Sequence, residues 1–310
     1  MKILILGAGA IGGYLGGRLT DAGRDVTFLV RDARRAQLDA DGLSVSSVYG
    51  DLHCPVKTVS ADGLTPDYDF ILLTCKAYDL DSAIAAVVPA IGPDTMVLPI
   101  LNGLGHIQVL NDRLGAKHVL GGTVKISVSR LPDGAIKHMN DWRWLNFGEQ
   151  SGGLSDRITA LHGALDGATG LEPVAYEDIM QEMWEKFVHL ATAAGMTALM
   201  RANVGQIVRT AEGAALFQQF LESTAEVAVR SGHPPSDDFM DNYRALFSDP
   251  ESKYVTSMLR DIENGNRIEG EHILGLLLST AREVGVDEPL FATAYASVKA
   301  YEARQADGGL

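Results

Sequence analysis

Cysteine is nearly absent: the 310 residues contain only Cys54 and Cys75. They form no C-x-x-C, which argues against a disulfide or a thiolate metal pair and leaves the expectation of two reduced, buried small hydrophobes. Metal-ligand spacings are missing as well, with no H-x-x-H, no H-E-x-x-H and no carboxylate cluster, so no metal is expected. Nor is there a G-x-S-x-G or a Cys/His spacing of the hydrolase type. Long apolar runs are lacking. The N-terminal run breaks at Gly7, short of the ~7–15 residues of a signal-peptide core. No later stretch reaches the ~18 residues of a membrane span. A cytoplasmic chain without membrane contact is therefore expected. Positive charge is scarce: 26 Lys and Arg against 40 Asp and Glu give a net charge of −14. That balance argues against nucleic acid or an anionic membrane as partner. Any phosphate-bearing ligand must then be held by local positive groups against a repulsive global field.

What is present begins at the N-terminus, MKILILGAGAIGG. A short apolar run reading as a buried parallel strand enters Gly7, Gly9 and Gly12 in the spacing G-x-G-x-x-G. A helix predicted over Ala10–Ala22, stopped at Gly23, and a second strand over Asp25–Val30 complete the β-α-β unit that this dinucleotide fingerprint requires. Gly7 permits the tight turn, Gly9 lets backbone approach a pyrophosphate, and Gly12 lets the helix pack close to the sheet. The loop Gly7, Gly9, Ala10, Ile11 and Gly12 is thus the candidate cofactor site, with the helix N-terminus facing the phosphates. The second strand ends in Val30-Arg31. An acidic residue there suits the ribose hydroxyls of NAD, whereas arginine suits the 2′-phosphate of NADP. Arg31, with Arg34 and Arg35 nearby, favours NADP(H), although Asp32 follows directly. The plainer alternative is a solvated start to the next helix.

Further along, Ser44–Val48 and His53–Val59 read as short strands. Asp69–Cys75 reads as a buried strand ending at Lys76, where parallel sheets place their ligands. A helix over Leu80–Val88 precedes a strand over Thr95–Leu101, which Pro99 marks as an edge strand or one that ends early. Asn102-Gly103-Leu104-Gly105 follows, either a ligand-facing loop or an ordinary Asn-Gly turn. His118–Ser129, Ala135–His138 and Trp144–Phe147 read as strands. From about Ser151 helical periodicity takes over: Leu154–Asp166, Tyr176–Met200, Ala211–Ser231, Asp237–Phe247, Ser257–Asn264, His272–Val284 and Pro289–Gln305. Ala306–Leu310 reads as a frayed end. With Gly167–Gly170 as hinge, the expected architecture is an α/β chain: a Rossmann-type dinucleotide-binding domain over 1–168 and an all-α domain over 169–310. Such a pairing usually holds its substrate in the cleft between domains. A homodimer through the apolar helices is open, since sequence does not separate an interface from a core.

On the helix Tyr176–Met200, Lys186 lies among Met183, Trp184, Phe187 and Val188. Desolvation there lowers the pKa of an ammonium and suits it to protonate a nascent alkoxide. Glu182, four residues earlier, offers the alternative of a surface pair. His189 alone reads as a hydrogen-bonded helix residue. Ser257 reads as a helix N-cap and Glu269 as first-turn residue of the next helix.

Taken in order, GAGAIG, Arg31 after the second strand, LLTCKAY around Lys76, LNGLG around Asn102, WEKF around Lys186, and SMLRDI followed by Glu269 resemble the ketopantoate reductase (2-dehydropantoate 2-reductase) family over nearly the whole chain. The resemblance implies an NADPH-dependent oxidoreductase acting on CH-OH groups, which reduces a small 2-oxo acid to a 2-hydroxy acid. The reaction expected first is 2-dehydropantoate to pantoate, in pantothenate biosynthesis. It further implies Lys186 as general acid and Glu269 as the carboxylate that binds substrate and orients the lysine. Asn102 and Ser257 would contact substrate, Asn102 and Lys76 would lie by the cofactor, and Arg31 would meet the 2′-phosphate. Three positions depart from the pattern: Leu190, Ala194 and Tyr254 stand where the family carries Asn. A polar substrate that loses such partners loses ~1–3 kcal/mol for each. The departures open the alternative of a less polar 2-oxo acid or another carbonyl. An NADP(H)-binding redox sensor without catalysis is the third reading, and Lys186 with Glu269 argues against it.

Overall fold

The computed structural model describes residues 1–308. They fall in two units, one of Met1–Leu101 and His106–Met180, the other of Asn102–Gly105 and the chain from Gln181 onward. No helix among the described residues is long and apolar enough to cross a membrane.

The first unit is organised by its N-terminal strand. β1 (Lys2–Leu6), α1 (Ala10–Asp21) and β2 (Asp25–Leu29) form the opening β-α-β unit, followed by α2 (Asp32–Asp41), β3 (Leu43–Ser46), β4 (Leu52–Cys54) and β5 (Lys57–Val59). β6 (Tyr68–Leu73), α3 (Leu80–Val87), β7 (Ile91–Pro99), α4 (Gly105–Leu114), β8 (Gly121–Arg130), β9 (Ile136–Gly148), α5 (Asp156–Leu165) and β10 (Glu172–Ala175) complete it. A five-stranded sheet runs β5-β2-β1-β6-β7, and every pair in it is parallel. Ile3, Leu4 and Ile5 of β1 and Phe70, Ile71 and Leu72 of β6 are fully buried, as expected of continuous apolar strands covered on both faces. β7 lies at the edge and ends at Pro99, and its outer side is met by the segment His118–Leu120 through Val97.

A second sheet runs β10-β9-β3-β4, with β8 also paired to β9. α1 lies between the two sheets, and its glycines explain how it fits. A Cβ on Gly16 would stand 2.4 Å from the Phe28 ring, and one on Gly17 would stand 3.1 Å from Leu43. Small residues on two faces let the helix approach both layers, and Tyr14, Leu15 and Leu19 fill the space between them.

The helical unit contains α6 (Ile179–Met200), α7 (Val204–Val208), α8 (Ala211–Arg230), α9 (Asp237–Leu246), α10 (Ser257–Glu263), α11 (Leu276–Val284) and α12 (Pro289–Ala306). α6 is its axis: Ala191, Ala193, Ala194, Met196 and Ala198 are fully buried. Gly195 leaves room for Phe220, whose ring would lie 2.5 Å from an added Cβ. Side-chain caps from Asn203, Thr210, Ser236, Thr256 and Glu288 start five of the helices.

The division falls at Met180/Gln181, twelve residues beyond the boundary expected at 168. Ala168 and Leu171 are buried in the first unit's core, and Tyr14 donates to the Gly170 carbonyl at 2.6 Å. β10 then pairs in parallel with β9, so the expected hinge at Gly167–Gly170 is a turn within the first unit. The same strand shortens α6, which begins at Ile179 instead of Tyr176, because the Tyr176 N–H continues the ladder to the Phe147 carbonyl. α12 reaches Ala306 and thus includes the first residue of the expected frayed end, while Gly309 and Leu310 lie outside the described residues.

Candidate active site

In the first unit the strand ends are level. Leu6 pairs with Leu29 on one side and with Leu73 on the other. The glycine loop, Arg31 and Lys76 therefore leave the same edge of the sheet, the carboxyl edge where doubly wound folds bind ligands. Gly7 turns with φ +89. Gly12 packs so closely that a Cβ there would stand 2.2 Å from the Gly7 carbonyl and 2.5 Å from Thr74 Oγ1. Thr74 itself donates to the Leu6 carbonyl at 2.8 Å, tying the ends of β1 and β6 together. At Gly9 an added Cβ meets nothing within 4 Å. Gly9 is also the N-cap of α1 and supplies no side-chain cap. Ala10, Ile11 and Gly12 thus begin a helix whose first N–H groups lack intrahelical acceptors, beside an open backbone. This is the geometry a dinucleotide pyrophosphate fits, and the loop, Arg31 and Lys76 are the residues that would hold the cofactor.

Arg31 and Lys76 are exposed. Arg34 is turned inward instead, where its Nε donates to the Ala8 carbonyl at 3.2 Å. Burial, with the nearby Arg130 charge, lowers its pKa.

In the helical unit, Asn102 Nδ2 donates to Glu269 Oε2 at a long 3.4 Å. Glu269 is 5% exposed. Lys186, half-buried on α6, has its pKa lowered from 10.5 to about 8 by desolvation, against the opposing pull of Glu182 and Glu269. The structure thus joins Lys186, Glu269 and Asn102. Ser257 is the exposed first residue of α10. The expected N-cap role falls to its buried neighbour Thr256, whose hydroxyl accepts from the Leu259 N–H at 3.2 Å and lies 3.0 Å from Thr197 Oγ1.

Two features of this region are invisible in the spacing. The residues after Glu269 form a π-helical turn over Glu271–Gly275 before α11. Onto it sits Gly103, at φ +83, where a Cβ would stand 2.5 Å from the His272 carbonyl. Backbone-to-backbone contact therefore carries Asn102 to Glu269, and the only sequence trace is the Asn-Gly pair. Second, Tyr254 and His189 form a pair, OH to Nε2 at 2.9 Å. The His189 ring stacks on Tyr243 at 4.3 Å. Burial, reinforced by Glu182 and Glu185, pushes the Tyr243 hydroxyl up to about 12, and burial also raises that of Tyr254. Both phenols stay neutral near pH 7.

A glycine-loop α/β unit joined to a helical unit holding a depressed-pKa lysine defines a nicotinamide-dependent oxidoreductase. Comparison with known proteins names the family. The model described as "Ketopantoate reductase PanE/ApbA" matches residues 3–152, and its C-terminal companion matches residues 178–302. The uncharacterized oxidoreductase YkpB of Bacillus subtilis is 34% identical, covering 98% of this chain and 100% of its own. The 2-dehydropantoate 2-reductase of a Nostoc species is 28% identical over 100% of this chain and 98% of its own. The crystal structure of 2-dehydropantoate 2-reductase from Methylococcus capsulatus superimposes with a TM-score of 0.87 at 29% identity, covering 98% of each chain. The chain belongs to the ketopantoate reductase family, whose members use NADPH.

Proposed function

We propose that this protein reduces a 2-oxo acid to the 2-hydroxy acid with NADPH, and that Lys186 is the general acid. The observation that carries the reading is the ammonium of Lys186, held near pKa 8 by desolvation while Glu182 and Glu269 keep it charged. A lysine at its ordinary value of 10.5 is a weaker acid at neutral pH. A proton donor whose pKa lies near the working pH combines a populated acid form with a usable driving force.

The glycine loop, with Arg31 and Lys76 at the phosphates, would hold NADPH, which when bound would supply the hydride. Lys186 Nζ then delivers its proton to the oxygen that was the substrate carbonyl. Glu269 holds the lysine by charge and is itself steadied by the Asn102 amide. Ser257 offers an exposed hydroxyl for the substrate carboxylate. The first substrate in this reading is 2-dehydropantoate, the compound in the names of the Nostoc and Methylococcus relatives. Its product would enter pantothenate biosynthesis. Replacing Lys186 by Ala is expected to lower turnover by ~10²–10⁴, the range of general acid–base catalysis, with NADPH affinity retained. A loss within about tenfold removes the lysine from the role.

A second reading is favoured by α6 itself. Leu190 and Ala194 follow Lys186 at i+4 and i+8 on one face, and Tyr254 spends its hydroxyl on His189. This face offers no amide to a polar substrate, and a less polar 2-oxo acid suits it better. Relative kcat/KM for 2-dehydropantoate and for branched and aromatic 2-oxo acids decides between the two.

A further inference from the structure

The β8–β9 turn brings a second arginine, Arg130, to Arg34, which lies three residues along the chain from Arg31. Its residues Leu131–Ala135 are docked onto α2: Arg34 donates to the Gly134 carbonyl at 2.9 Å, and Gln37 to the Asp133 carbonyl at 2.5 Å. Gly134 is held at φ +88, and a Cβ there would stand 2.4 Å from the Arg34 guanidinium, so the contact is backbone against side chain. Arg130, the last residue of β8, pairs with Ile136 immediately across this turn. Its charge reaches Arg34 and disfavours the protonated form there.

The charges around it are unequally employed. Arg34 spends its donors on Ala8, Gln37 and Gly134. Arg35 pairs with Asp39 at 3.6 Å. The Asp133 carboxylate accepts from the Ala135 N–H within its own turn. Arg31 and Arg130 are exposed, and neither makes an ion pair among the described residues. In a chain of net charge −14 this is a local surplus of guanidinium. Bringing like charges together is unfavourable in the protein alone and is relieved by an anion that accepts from both. Guanidinium forks match phosphate oxygens in planar, bidentate fashion.

We propose that Arg130 is a specificity-determining residue for the phosphate on the cofactor's adenosine ribose, acting with Arg31 while Arg34 braces the turn that presents it. The inference rests on the NADPH reading above. Its ligand class is a ribose 2′-phosphomonoester.

The test is calorimetric binding of adenosine 2′,5′-bisphosphate and adenosine 5′-monophosphate to the whole protein, paired with KM for NADPH and NADH. Wild type is expected to prefer the bisphosphate. Arg130→Gln is expected to weaken the bisphosphate about tenfold to a hundredfold, as loss of a charge-assisted bond implies. The monophosphate should stay within about twofold, and KM for NADPH, but not for NADH, should rise in parallel. Arg130→Lys should recover part of the loss. Equal weakening of both nucleotides by Arg130→Gln, or no change in either, overturns the proposal and leaves the NADPH reading intact. Wild type binding both nucleotides equally overturns the two together.

Discussion

Lys186 ties stability to pH in a way that can be worked out in advance. Its pKa is about 8 in the folded protein and 10.5 when unperturbed. Below pH 8 both states carry the proton, and the folded state bears the whole desolvation penalty. Between 8 and 10.5 the unfolded state still holds a proton that the folded state has released, so stability rises with pH through that window. The difference between the two values corresponds to about 3 kcal/mol at pH 7. Integrating the titration leaves about 1 kcal/mol at pH 9.5, a recovery of about 2 kcal/mol. Lys186→Met removes the titrating group while keeping comparable bulk. The stability difference between the variant and wild type should therefore shift by about 2 kcal/mol in favour of wild type from pH 7 to 9.5. Whatever the substitution does to packing cancels between the two pH values. Urea unfolding followed by circular dichroism, which weights the helical unit, measures the shift. A difference constant to within about 0.5 kcal/mol would show that Lys186 titrates alike in both states, and the proton-donor argument would lose its basis.

Other perturbations separate the roles of neighbouring glycines. Gly12→Ala should lower Tm through an overpacking cost of about 1–3 kcal/mol, since its Cβ would stand 2.2 Å from the Gly7 carbonyl. Gly9→Ala meets nothing within 4 Å, and should leave Tm unchanged while raising KM for NADPH about tenfold or more. Gly103→Ala combines φ +83 with a 2.5 Å approach to the His272 carbonyl. It should cost about 1–3 kcal/mol and lower kcat more than NADPH affinity, by carrying Asn102 off Glu269. Gly105→Ala, whose Cβ would meet only Leu276 at an ordinary 3.6 Å, is the control in the same loop.

The parts of the fold that rest on local chemistry were legible in the sequence. The strand-glycine-helix opening, the apolar β6 run ending before Lys76 and the edge position of the Pro99 strand each follow from residues within one or two turns of one another. The second sheet was not legible as a unit. Its joining pairs link Val45 to Ile136 and Glu172 to Trp144, far apart in the chain and parallel. β10 reads Glu-Pro-Val-Ala, a proline-bearing run of four residues that periodicity does not mark as a strand. The glycines at 167 and 170 read as a hinge between domains, whereas they lie in a turn within the first unit. Whether a turn is a linker depends on what its flanks bury, and Tyr14 and β9 decide that from elsewhere in the chain.

The candidate site divides along the same line. Lys186 could be singled out because its apolar neighbours share its own helix, and the desolvation they imply is the main cause of its lowered pKa. Asn102 and Glu269 lie 167 residues apart, and what joins them is the backbone of the π-helical turn meeting the backbone at Gly103. A π-helical turn has no side-chain periodicity of its own, so no pattern in 271–275 announces it. The Tyr254–His189 pair has the same character. Each residue alone reads as an ordinary helix or loop position, and only their 2.9 Å contact shows that the tyrosine hydroxyl is already engaged within the protein. The resemblance marked Leu190, Ala194 and Tyr254 as departures from the family pattern. Which polar atoms beside them are spent internally, as the Tyr254 hydroxyl is on His189, is a property of the packed helices.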